Sequence, residues 1–288
     1  MRRPLFAAVF AAVLAGGSTA SAAPTPPAPS LSVGAIYQGT LLIKLLDLRM
    51  HSGVAGQHFK IDAHTTSSGA VSFIRKFDID AGAYGGIVRG LPVPAAYVQR
   101  GLEGQKHTGR TLVWKSPPPA PDPLTQVLRL NLTTAASPCP AVLPIFDGKQ
   151  RYDLVLTPAG AGALDGAQRG FGLTQAVQCR MGFRPISGFR TSSQDGPHKF
   201  TRGDIHATFA RASPSGLWIA TDVSVDTLVG PAHLRLTGLS IQGGRTALAA
   251  AVRPATRGAH HAGDGRQKTE SGSPRAAQAR ARARPIRE

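Results

Sequence analysis

Apolar and polar residues alternate along most of the chain with the two-residue period of a β-strand, and one segment carries the period of a helix instead. The clearest alternation runs from Gln57 to Thr65. Phe59, Ile61 and Ala63 fall on one face, and His58, Lys60, Asp62 and His64 on the other. Strand patterns are also read at Leu31–Tyr37, Ala95–Arg100, Gly109–Trp114 and Leu143–Phe146. Arg151–Leu156 follows, with Tyr152, Leu154 and Leu156 on one face, and then Ala176–Gly182, His206–Ala212, Leu217–Val223 and His233–Ile241. Leu41–Leu46 is apolar on both faces apart from Lys44, as a strand covered on both sides would be. Val71–Phe77 reads as a helical turn or the start of a strand, and Gly162–Gly170 as a loop or hairpin end.

The helical exception follows Ser116-Pro117-Pro118-Pro119-Ala120-Pro121, a stretch held extended by its prolines. Asp122-Pro123 then has the form of a helix start. The carboxylate caps free N–H groups, and proline at the first helical position forfeits no hydrogen bond. Leu124, Val127, Leu128 and Leu132 follow at helical spacing, giving a helix near 123–135 that ends before Ser137-Pro138. The resulting expectation is a mainly all-β domain: a strongly curved antiparallel sheet or open barrel of roughly ten strands, with one covering helix on one side.

The ends of the chain differ from this body. Met1-Arg2-Arg3, an apolar run from Leu5 to Ala15, and Ala20-Ser21-Ala22 make the three parts of a secretory signal peptide, cut after Ala22. The run is too short to span a bilayer, which takes about 20 apolar residues. A Pro-rich linker (23–30) leads to a single β-rich domain over 31–250. From 251 to 288 Ala, Gly, Arg, Gln and Ser predominate, and this basic tail is expected to be disordered. The chain's net charge is +17; residues 253–288 hold nine Arg or Lys against three acids, and Arg2 and Arg3 leave with the signal, so the body is near +9. An exported basic tail points to anionic surfaces. No aromatic residues interleave its charges to stack on bases, so no specific nucleic acid is expected.

Export makes the two cysteines, Cys139 and Cys179, a disulfide pair. Expected localisation is therefore periplasmic, with the oligomeric state left open. No catalytic residue is assigned: G-x-S-x-G, H-E-x-x-H, the P-loop and Asp-Ser/Thr-Gly are all absent. No metal and no cofactor is expected either. His58 and His64 lie six residues apart, about 20 Å along a strand, too far for one ion. Candidate ligand-binding residues are Asp147, Arg151, Tyr152, Asp153 and Trp218. The first four crowd charge at a hairpin turn, where Asp147-Gly148 also reads as simple turn chemistry and Arg151 with Asp153 as a paired strand face.

In order, Asp122-Pro123-Leu124-Thr125, Cys139, Phe146-Asp147-Gly148-Lys149-Gln150-Arg151-Tyr152-Asp153-Leu154, Cys179, Arg184-Pro185-Ile186-Ser187-Gly188-Phe189 and Leu217-Trp218-Ile219-Ala220 resemble exported bacterial proteins of the domain-of-unknown-function family 3108. The resemblance covers about residues 33–245 and implies a periplasmic, mostly antiparallel β domain. The functional expectation is a non-catalytic envelope binding or maintenance module, with a lipid-like apolar ligand in the concave face or an envelope polymer as partner. The alternatives are a hydrolase of an envelope polymer, and a structural or partner-binding domain tethered by its tail.

Overall fold

The computed structural model describes residues 30–69, 72, 76–189, 201–227 and 230–244, all within one compact unit. The expected signal peptide, most of the expected linker and the basic tail lie outside the described residues. Twelve strands form one antiparallel sheet: β1 (Leu31–Leu41), β2 (Ile43–Ala55), β3 (His58–Ser67), β4 (Phe77–Val88), β5 (Leu91–Glu103), β6 (Lys106–Val113), β7 (Ala141–Phe146), β8 (Arg151–Ala161), β9 (Leu173–Ser187), β10 (Thr201–Ala212), β11 (Trp218–Thr227) and β12 (Gly230–Gly243). Two six-strand meanders, β1–β6 and β7–β12, join where β1 pairs with β12. The sheet is not closed; β6 and β7 are its edges.

The expected class holds, with twelve strands in place of roughly ten. The doubly apolar run was misread as one covered strand. Leu41 ends β1 and Ile43 opens β2, paired across a turn at Leu42. Leu42 takes φ 62° and is 82% exposed, and Ile43 is 51% exposed. No Gly, Asn or Asp marks this turn, so the pattern concealed it. β4 was missed because Gly82, Gly85 and Gly86 erase its alternation. At Gly85 the next strand comes so close that a Cβ would sit 2.1 Å from the Val93 carbonyl oxygen. Gly162–Gly170, read as a loop or hairpin end, closes β8 and then forms a short helix, α2 (Gly166–Gly170), capped reciprocally by Asp165 and Gln168.

The main helix, α1 (Pro123–Leu132), starts as its sequence dictates and stops three residues early. Asp122 accepts from the Thr125 amide at 2.9 Å and from its hydroxyl at 2.6 Å. α1 covers one side of the sheet, as expected, and that side is the concave one. It sits in the hollow, touching β3, β4 and β5 of one half and β7 and β11 of the other. Leu124, Leu128 and Leu132 enter one core with Leu31, Val33, Phe59, Ile61 and Leu236. The alternation in β3 therefore points Phe59, Ile61 and Ala63 inward, as expected. Four ties hold the segment in place. Arg129 Nε donates to the Pro92 carbonyl (2.7 Å), Gln126 Nε2 to that of Pro144 (2.8 Å), and Trp218 Nε1 to that of Ala135 (3.1 Å). The fourth is the Cys139–Cys179 disulfide, formed as the compartment argument required.

The same segment finishes the free edge of β7. The Phe146 amide donates to the Pro121 carbonyl at 2.9 Å, and the Pro144 carbonyl accepts from Gln126. Across the seam, Arg110 of β6 pairs with Asp147 at 3.0 Å. Side chains and α1 thus link edges that no ladder joins, which blunts two exposed edges.

Asp122 is fully buried, and burial raises its carboxyl above the ordinary 3.8 despite the Thr125 hydrogen bonds. The folded state then binds this proton more tightly than the unfolded state. Its stabilising effect is complete below 3.8 and is lost as pH rises through the raised value. Urea melts should show the stability difference between wild type and Asp122→Asn moving in the variant's favour across that window. A difference independent of pH would contradict this.

Candidate functional site

The inner face of β7–β11 is built from alternate residues. Tyr152, Leu154 and Leu156 of β8 point inward, as their spacing predicts, with Leu143 and Leu154 paired across β7–β8 and Leu154 and Phe183 across β8–β9. Between this wall and α1 lies a cavity of about 240 Å3. Leu156, Met181, Phe209, Ala220 and Val223 line the sheet side, and Val127 and Leu130 the helix side. Two amides border it, and both are committed to backbone. Gln126 serves Pro144, and Asn131, in the amide orientation that satisfies it, donates to the Trp218 carbonyl at 3.0 Å. The walls therefore offer an occupant apolar surface.

A second hollow, of about 300 Å3, shares Tyr152, Leu154 and Met181 with the first and extends to Asp147, Gln150 and Phe189. Three rings cluster here: Tyr152 and Phe183 have centroids 4.9 Å apart, and Phe183 and Phe189 meet edge to face at 5.5 Å. Burial, with the Asp147 carboxylate as a further cause, pushes the Tyr152 hydroxyl up to about 12, so it stays protonated near neutral pH. Tyr97 is pushed up to about 12 mainly by burial, then by Asp122. Polar character thus gathers at the end of the hollow where Tyr152, Asp147 and Arg110 meet.

The five candidate residues divide among three places. Asp147 and Tyr152 stand together at this end. Asp147 also makes the turn: Oδ1 accepts from the Lys149 amide at 2.8 Å and the Gln150 amide at 2.7 Å, and Gly148 takes φ 93°. Arg151 and Asp153 belong to the opposite, outer face of β8, where Arg184 Nε donates to Asp153 at 3.0 Å. Trp218 is wholly buried beside the disulfide, packed with Leu156, Cys179 and Phe209, and Arg211 lies over its ring at 5.4 Å. Sequence reasoning missed Tyr37, Val127, Met181, Phe209 and Ala220. They come from five elements, and only the fold brings them together.

The polar face of β3 forms its own cross-strand set. Lys60 pairs with Asp62 at 2.8 Å, while His64 Nδ1 lies 2.7 Å from Asp80 and 3.8 Å from Asp78. One ligand atom from each of His64, Asp78 and Asp80 lies within 4.8 Å of the others, and among the described residues no further His, Cys, Asp or Glu joins the set. An open groove of about 400 Å3 runs past His51, Asp62, His64 and Asp80, flanked by Arg49 and Arg100. Of its acids, Asp62 pairs with Lys60, and Asp80 is hydrogen-bonded to His64.

No helix among the described residues is long and apolar enough to cross a membrane. No family model matches the chain, and no curated protein matches it. Among solved structures it is similar to a beta-barrel-like protein of domain of unknown function DUF1849 from Brucella abortus. The two are 13% identical with a TM-score of 0.39, over 75% of this chain and 99% of that one.

Proposed function

We propose that this protein is an exported, periplasmic, non-catalytic module that holds the apolar chain of an envelope lipid between α1 and the β7–β11 wall. The cavity of about 240 Å3 carries the reading. Water placed here would find the Tyr37 and Tyr152 hydroxyls but little else, because the amides of Gln126 and Asn131 are engaged. An apolar chain fits the walls. Its polar head would meet Tyr152, Asp147 and Arg110, consistent with binding sites that set a few polar groups in a mostly apolar lining. The apolar run at 41–46 gives this reading no support, because it forms a hairpin tip and not a strand covered on both faces. The signal-like N-terminus and the disulfide support export.

The hydrolase alternative gains nothing from the geometry. Asp147 is bound to Arg110 and its own turn, and Asp153 to Arg184 on the other face. The test is titration with an apolar fluorescent probe in the absence of vesicles. Saturable one-to-one binding, competed by long-chain acyl lipids, is expected; a flat titration would refute the proposal.

A further inference from the structure

Antiparallel order puts the β1–β2, β3–β4, β5–β6 and β7–β8 turns at the same end of the sheet. Asp147, Gln150 and Phe189, at the outer part of the cavity system, belong to that end. So does Leu42, a leucine at positive φ and largely exposed, followed by the half-exposed Ile43. A β-hairpin tip ordinarily takes Gly, Asn or Asp at such a φ. A bulky apolar residue there carries backbone strain and gains no burial within the fold, the kind of outlier from which function is argued.

A lysine stands in or beside each of those four turns: Lys44, Lys76, Lys106 and Lys149. The other described lysines, Lys60 and Lys115, lie toward the opposite end. Most acids at the lysine-bearing end are engaged. Asp47 holds Lys44, Asp147 holds Arg110, Asp78 faces His64, and Glu103 has its own interaction, while Asp226 is exposed.

We infer that this end docks on an anionic lipid bilayer: Leu42 and Ile43 enter the interface, and Lys76, Lys106 and Lys149 meet the lipid phosphates, Lys44 being paired with Asp47. An apolar tip with cationic flanks suits such an interface, since burial of the apolar side chains and attraction to anionic lipid add together. Docking would set the outer part of the cavity system against its lipid source, so the inference extends the proposed function.

The test is vesicle flotation of the full chain, comparing wild type with Leu42→Asn/Ile43→Ser, both with the same termini. Asparagine tolerates positive φ, so the variant should fold, which circular dichroism and the melting temperature verify. With phosphatidylcholine vesicles containing phosphatidylglycerol, the wild type should bind and the variant should bind at least tenfold more weakly. Lys76→Gln/Lys106→Gln/Lys149→Gln should also weaken binding, by about fivefold per lysine at low salt. Failure of the wild type to bind would overturn the inference. So would a folded tip variant that binds like wild type, because the basic tail common to both would then account for attachment. The probe titration contains no vesicles, so docking and cavity binding can fail separately.

Discussion

Removing the disulfide with Cys139→Ala/Cys179→Ala lowers unfolding stability by about 4 kcal/mol, as the chain-entropy relation gives for a crosslink of this span. The bridge closes a separation of 40 residues. It also pins the exit of α1 to β9, so its loss acts where the helix enters the hollow. Alanine avoids placing a hydroxyl in the surrounding core, which would add a separate cost. Urea unfolding should show a much lower midpoint and a steeper denaturant slope, because the unfolded chain without its crosslink exposes more surface. An unchanged midpoint would mean that the hydrogen bonds of Gln126, Arg129 and Trp218 hold the segment unaided.

Trp218→Ala costs about 3–5 kcal/mol, the usual range for truncating a buried aromatic residue. Trp218 has no exposed surface, and its indole N–H satisfies the Ala135 carbonyl just beyond α1. Truncation empties the space against the disulfide, Leu156 and Phe209 and leaves that carbonyl without its donor. The variant separates two roles for this residue. A packing role predicts a large fall in urea midpoint, most of it restored in Trp218→Phe. A ligand-contact role predicts weakened probe binding with stability kept. Its position beside the disulfide favours the first.

Local chemistry was legible wherever one or two residues decide the outcome. Asp122-Pro123 announced α1, the Phe59-Ile61-Ala63 alternation announced an inward face, and Tyr152-Leu154-Leu156 announced the lining of the later cavity. Features set by distant partners were not legible. Leu42 makes a turn without a turn residue because the β1–β2 register requires it. β4 survives three glycines because β3 and β5 supply its ladders. α1 carries apolar spacing that fits a helix on a sheet as well as a helix within its curl. Contact with both meanders is a property of topology.

The candidate site shows the same division. Asp147 and Tyr152 were chosen from a charged turn, and they do mark the polar end of the hollow. Arg151 and Asp153 were chosen with them, yet strand alternation puts these on the outer face, where Arg184 takes Asp153. Trp218 belongs to the Leu217-Trp218-Ile219-Ala220 stretch, and sequence alone does not distinguish a core residue from a contact residue there. The apolar lining has no sequence signature, because each member is an ordinary core residue in its own strand.

The central claim is that an apolar chain occupies the space between α1 and β7–β11. Filling that space from within tests it most directly. Ala220 lines the cavity, and Ala220→Phe would project a ring into it. Titration of both proteins with the same apolar probe, alongside thermal melts, gives the answer. The account predicts saturable binding by wild type and at least tenfold weaker binding by Ala220→Phe, with a melting temperature equal or higher. Equal probe affinity in a folded Ala220→Phe protein would contradict it.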